Sequence, residues 1–143
     1  MLEGYAVESV KNTKYQSAGS GRAKSYEDLE IYCLSRDLAV QLHEMTMQTL
    51  PKFELYEEGS QIRRASKSIA SNIAEGYGRK EYPQEFFRYL TYALASCDET
   101  KVHLDILHRT GSLKDPVLFK SLFEGYETLG KKLFAFRQKV KPV

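Results

Sequence analysis

The feature that most constrains the fold is a heptad repeat that runs through the second half of the chain. Core-type residues recur there at alternating intervals of four and three, the spacing of a helix that buries one stripe. The first run is Phe86, Leu90, Ala93, Cys97, Thr100, Leu104 and Leu107. The second run is Phe119, Leu122, Tyr126, Leu129, Leu133, Phe136 and Val140. The repeats predict two long helices, one from Pro83 to Gly111 and one beginning at Asp115.

Two further helices are predicted in the first half of the chain. One runs from Tyr26 to Leu50, with Ser25 as its N-cap, and ends before Pro51. The other runs from about Glu57 to Glu75 and is stopped by the Gly-Tyr-Gly segment 76–78. Four such helices joined by short turns predict an all-α protein, an antiparallel up-down four-helix bundle.

The predicted bundle accounts for residues 26–143 as a single domain, because a chain of 143 residues suits one core. Residues 1–25 contain Gly19-Ser20-Gly21 and show no sustained apolar periodicity. We therefore expect them to form a flexible N-terminal arm.

The first helix carries more apolar surface than one bundle core can bury. One stripe comprises Ile31, Leu34, Leu38, Leu42 and Met45. A second stripe comprises Leu29, Tyr32, Cys33, Val40, Met47 and Leu50. A large exposed apolar patch usually marks a contact with another molecule, so the second stripe predicts a homo-oligomer.

Composition favours a cytoplasmic protein without membrane association. The chain has no run of about 18 apolar residues and no signal-peptide pattern at its N-terminus. Cys33 and Cys97 lie within apolar helical patterns and are predicted to be small buried side chains. The net charge of +2 is too small to predict a nucleic-acid partner by itself. Any basic surface must arise from uneven placement: residues 112–143 carry seven basic and three acidic groups.

The motifs favour no catalytic or metal site. A di-metal bundle needs a Glu-x-x-His pair on two helices, and the sequence contains none. Glu99 and His103 form one pair four residues apart, which we interpret as a surface hydrogen bond. We expect neither an enzyme nor a cofactor, although a carboxylate enzyme that uses Glu75 and Glu99 remains a third alternative.

Two groups of polar residues are candidate sites. The first is a basic strip that carries one aromatic residue, a combination suited to phosphates and stacked bases. Its members are Arg63, Arg64, Lys67, Tyr77, Arg79 and Lys80. The alternative is a solvated face without a ligand. The second is a structural polar cluster that should fix the register of the second and third helices through hydrogen bonds. Its members are Asn72, Glu75, Ser96 and Glu99.

A resemblance to a known family rests on longer motifs. The run from Gln61 to Arg79 (QIRRASKSIASNIAEGYGR) is followed by EFFRYL at 85–90 and ALAS at 93–96. These segments resemble the bacterial four-helix bundle proteins first noticed as reading frames within intervening sequences of 23S ribosomal RNA genes. The resemblance covers residues 26–140 and excludes the first 25.

The resemblance implies a bundle that forms a cyclic oligomer, a pentamer in relatives. It also implies kinship with the accessory variability determinant of diversity-generating retroelements, a basic bundle that binds a reverse transcriptase and nucleic acid. We therefore expect a non-enzymatic, ring-forming bundle that presents basic surface to RNA, DNA or a nucleic-acid-handling protein. The alternative is a structural or protein-interaction module that binds no nucleic acid.

Overall fold

The computed structural model describes residues 23–143, so most of the predicted arm lies outside the described residues. Within this range the protein has four α-helices and no strand, which confirms the predicted all-α class. The helices are α1 (Glu30–Gln48), α2 (Glu58–Tyr77), α3 (Pro83–Arg109) and α4 (Pro116–Lys139). Short 3-10 turns at Tyr26–Asp28 and Lys52–Leu55 precede α1 and α2. No described helix is long and apolar enough to span a membrane.

Neighbouring helices pair the early residues of one with the late residues of the other. Side-chain contacts of this kind include Arg63 with Thr46, His103 with Glu58, Arg137 with Thr91, and Lys132 with Glu30. This pairing is compatible with an antiparallel up-down arrangement.

The core is built from one stripe of each helix and confirms the predicted heptad register of α3 and α4. Leu90, Cys97 and Leu104 of α3 are fully buried. Leu129 and Leu133 of α4 are fully buried as well. Burial of the repeat is incomplete toward the ends of α4, where Phe119, Phe136 and Val140 are only half-buried.

The structure corrects the start of the first helix, which begins at Glu30 and not at Tyr26. Ser25 instead caps the preceding 3-10 turn: its hydroxyl accepts from the Glu27 amide, and its own amide donates to the Asp28 carboxylate. Leu29 then adopts an extended conformation and its side chain is buried. Local capping therefore favours a separate turn over continuous helix.

The end of the second helix also differs from the prediction. Helix α2 continues to Tyr77, and Gly78 is its C-cap. Gly76 lies inside the helix, where an added Cβ would sit 2.9 Å from Cβ of Tyr89 in α3. Gly76 therefore permits the close approach of α2 and α3 and does not end the helix. The predicted stop at Gly111 is confirmed, because this residue follows α3 with a φ of 81°.

The second apolar stripe of the first helix is smaller than predicted. Leu29 is buried, and Tyr32 and Leu50 pack against the core. Val40 and Met47 are the members that remain on the surface, each 53% exposed. The 3-10 turn before α1 covers part of the second stripe, since the Tyr26 ring meets the Tyr32 ring edge to face with their centroids 4.7 Å apart.

Candidate contact surfaces

The six residues of the predicted basic strip do not form one surface. Arg63, Arg64 and Lys67 lie in the first half of α2, whereas Tyr77, Arg79 and Lys80 lie at its end. The ten residues from Lys67 to Tyr77 correspond to about 15 Å along the helix. The two groups are therefore separate surfaces.

Arg63 does not point away from the bundle as predicted. Its side chain is half-buried, Nη2 donates to the Leu55 carbonyl at 2.6 Å, and Nη1 donates to Thr46 Oγ1 at 3.0 Å. The guanidinium thus joins α2 to the preceding turn and to α1. A long side chain with several donors can reach backbone carbonyls that have no local partner, and helical periodicity alone does not reveal this.

Tyr77 and Lys80 contact each other at the end of α2. The Tyr77 hydroxyl donates to the Ala23 carbonyl at 2.8 Å and accepts from Lys80 Nζ at 3.0 Å. The half-buried Tyr77 ring packs against the Phe86 edge and lies 4.2 Å from the Lys80 ammonium. The predicted stacking residue therefore already has an aromatic and a cationic neighbour within the chain.

Arg79 stabilises the turn between α2 and α3 through contacts to both helices. Its Nη1 donates to the Glu75 carbonyl at 3.0 Å, and its Nε lies 3.5 Å from a Glu85 carboxylate oxygen. The guanidinium also lies 4.6 Å from the centre of the Tyr89 ring. Arg79 therefore has structural contacts that compete with any ligand.

Arg64 and Lys67 are the members of the strip that remain exposed on the body of α2. They lie three residues apart, about one helical turn. Neither forms an ion pair with another residue in the described part of the chain.

Lys67 borders a groove between α1 and α2 with a cavity volume of about 370 Å³. The surface inside this α1–α2 groove is mainly apolar, and its charged residues are Arg36, Glu44 and Lys67. The lining residues are Arg36, Ala39, Val40, His43, Glu44, Lys67 and Ala70. The exposed Val40 of the second apolar stripe therefore lies in this groove.

A second exposed apolar surface lies on α3 and was missed by the sequence analysis. We call it the α3 ridge: Tyr92, Ala95, Glu99, Val102 and Ile106, all exposed. These positions alternate at intervals of three and four on the side of α3 opposite the core. The signal was present in the sequence, but the more apolar core repeat of the same helix concealed it.

The four residues of the predicted polar cluster do not form one hydrogen-bond network. Asn72 Nδ2 donates to the Ser68 carbonyl at 2.8 Å and to the Ser68 hydroxyl at 3.0 Å, which also accepts from the Ser96 hydroxyl at 2.9 Å. Ser68, which was not predicted, thus connects Asn72 and Ser96 across α2 and α3. Glu75 is exposed and lies outside this network.

Glu99 lies near His103. His103 was predicted to lie at the surface, but it is buried. His103 Nδ1 lies 2.6 Å from a Glu58 carboxylate oxygen, so it joins α3 to the start of α2. His103 Nε2 is 3.5 Å from Glu99 Oε1 and has no hydrogen-bond partner in the described part of the chain. Within residues 23–143, no group of three or more His, Cys, Asp or Glu side chains is placed to hold a metal ion.

The two cysteines occupy different environments. Cys97 is fully buried, as predicted, and burial raises its pKa to about 12. Its thiol donates to the Tyr126 carbonyl at 3.3 Å. Cys33 is only half-buried, contrary to the prediction, and its thiol donates to the Glu27 carbonyl. The neutral, enclosed Cys97 thiol is a poor nucleophile.

Comparison with known proteins adds a family and a fold. Residues 27–135 match the sequence model of the family described as 23S rRNA-intervening sequence protein. A solved structure from Bacteroides thetaiotaomicron, described as a protein with unknown function from the S23 ribosomal protein family, is similar with a TM-score of 0.68. The two chains are 22% identical, and the match covers 76% of this chain and 98% of that chain. No curated protein matches the sequence.

Proposed function

The chain belongs to the 23S rRNA-intervening sequence protein family, and we propose that it is a non-enzymatic, antiparallel up-down bundle that works by associating with copies of itself in a ring. The exposed α3 ridge is the observation that supports this proposal, because Val102 is 56% exposed and Tyr92 is 48% exposed. Removal of such side chains from water favours association by about 25 cal/mol for each Å² of apolar surface, and the entropy lost on association subtracts from this gain.

Light scattering at micromolar concentration tests the proposal. We expect wild-type mass to correspond to several chains. Val102→Glu should give smaller species, since it places an unpaired charge in the contact. Gln138→Glu is the control, because it adds the same group at an exposed position outside the ridge. A monomeric wild-type protein would overturn the proposal.

We propose secondly that the assembly presents basic surface to RNA, DNA or a nucleic-acid-handling protein such as a reverse transcriptase. Arg64 supports this proposal, because it is exposed, has no ion pair with any residue from 23 to 143, and would be repeated in every copy of the assembly. Repetition matters since linked weak contacts bind together more tightly than one contact alone.

The second proposal is tested by fluorescence anisotropy with labelled RNA and DNA over a series of salt concentrations. Each phosphate contact contributes close to one unit to the slope of log affinity against log salt. We expect Arg64→Glu to lower this slope, whereas Lys120→Glu on α4 should change it less. Arg63 is left unchanged because it holds α1 and α2 together.

No binding at low salt, or equal binding by wild type and Arg64→Glu, would favour a module that binds only protein. Circular dichroism and light scattering of the variant separate a loss of binding from a loss of fold or assembly.

A further inference from the structure

We infer that the α3 ridge of one copy packs into the α1–α2 groove of the next copy. This inference rests on the proposed self-association and names the two surfaces that carry it. The partner is therefore a second copy of this chain, joined through two different surfaces.

Shape favours this pairing. The groove is lined by a small side chain from each helix, Ala39 of α1 and Ala70 of α2, so a third helix can lie between them. The ridge has a small residue of its own, Ala95, between Tyr92 and Val102. Small residues on both sides allow the helix axes to approach, while the larger neighbours fill the groove.

The two surfaces lie at similar heights along the bundle. Ser96 of α3 is hydrogen-bonded to Ser68 of α2, and Ser68 is next to the groove residue Lys67. Ala95 is therefore close in height to the groove. Copies arranged around an axis parallel to the helices can thus bring ridge and groove together without a large shift along that axis.

Charge also favours the pairing. Arg36, Glu44 and Lys67 are the charged residues that line the groove, and Arg36 is already paired with Asp37 at 3.1 Å. The ridge carries the exposed carboxylate Glu99, whereas the adjacent Asp98 is paired with Lys101 at 3.7 Å. Lys67 has no ion pair among the described residues, so Glu99 of the neighbouring copy is its expected partner. Lys67 would therefore take part in the contact between copies, while Arg64 would remain available to bind a polyanion.

A contact between two different surfaces is heterologous. Each copy then offers one ridge and one groove, so assembly continues until the rotation closes a ring. Contacts of this kind make a specific prediction about mixtures of defective variants.

The test uses Val102→Glu, which blocks the ridge, and Val40→Glu, which blocks the groove. Both side chains are more than half exposed in the folded chain, so circular dichroism should show unchanged helicity. We expect each variant alone to be monomeric by light scattering. Their equimolar mixture should form a dimer and nothing larger, because the intact groove of one variant meets the intact ridge of the other.

The outcomes separate this inference from the proposal beneath it. A monomeric wild-type protein overturns both. An oligomeric wild type with an equally oligomeric Val40→Glu variant overturns the ridge-in-groove contact alone, and so does a mixture that stays monomeric. As a second measurement, Lys67→Glu should weaken assembly and Lys67→Glu/Glu99→Lys should restore it, whereas Arg64→Glu leaves the mass unchanged. Failure of the double variant to regain mass, with Glu99→Lys alone folded, overturns the assigned ion pair.

Discussion

At the scale of single residues, the Tyr126 hydroxyl is a buried polar group without a hydrogen-bond partner among residues 23–143. Tyr126 is fully buried, and burial above all raises its pKa, while the nearby Ser66 hydroxyl acts in the opposite direction. The nearby Ser66 hydroxyl donates to the Arg63 carbonyl at 3.0 Å. A buried hydroxyl without a partner costs about 1–3 kcal/mol.

Tyr126→Phe should therefore leave the free energy of unfolding unchanged or raise it by up to about 2 kcal/mol. Tyr77→Phe is the matched control, because its hydroxyl has two partners and its loss should cost about 0.5–1.5 kcal/mol. Chemical denaturation measures both. A clear loss of stability in Tyr126→Phe would mean that its hydroxyl is hydrogen-bonded.

The buried thiol of Cys97 should make the protein less stable at alkaline pH. The ordinary thiol pKa of 9.0 applies to the unfolded chain, whereas burial raises the pKa of the folded thiol to about 12. Between these values the unfolded chain loses the proton and the folded chain keeps it, so the free energy of unfolding falls as pH rises from 9 to 12. Cys97→Ala should show a shallower fall over that interval in urea denaturation. Equal slopes for the two proteins would contradict this account.

At the scale of elements, α4 tests the register of the bundle. Leu129 and Leu133 are fully buried at adjacent core positions, whereas Lys131 between them is exposed. Leu129→Ala or Leu133→Ala should cost about 2–5 kcal/mol through lost burial and a residual cavity. Lys131→Ala should change stability by less than about 0.5 kcal/mol. A comparably small effect of either leucine variant in denaturation would place that leucine at the surface.

At the scale of the whole molecule, self-association links stability to concentration. An assembly that forms only from folded chains stabilises them by mass action. The melting temperature of the wild-type protein should therefore rise with protein concentration. Val102→Glu, with its ridge blocked, should melt at a temperature that does not depend on concentration. Calorimetry or circular dichroism over a tenfold range of concentration makes the comparison.

Local patterns along the chain are sufficient to predict the four helices and most of the core. Heptad spacing is a local property, and the residues that it predicts to be buried are buried throughout α3 and in the middle of α4, whereas Phe119, Phe136 and Val140 near the ends of α4 are half-buried. Pro83 and Gly111 bound α3 as expected, because proline geometry at a helix start and a positive φ after a helix end are properties of single residues.

Which polar residues are free to meet a ligand depends on how the helices pack against one another. Arg63 was predicted to face solvent, yet it is half-buried, because its guanidinium donates to the Leu55 carbonyl and to the Thr46 hydroxyl of neighbouring elements. His103 was predicted at the surface, yet Glu58 meets it from another helix. Helical periodicity gives the direction in which a side chain leaves its helix, but it does not show which neighbouring element lies in that direction. The candidate surfaces depend on which element each side chain meets, and this is known only once the packing of all four helices is known.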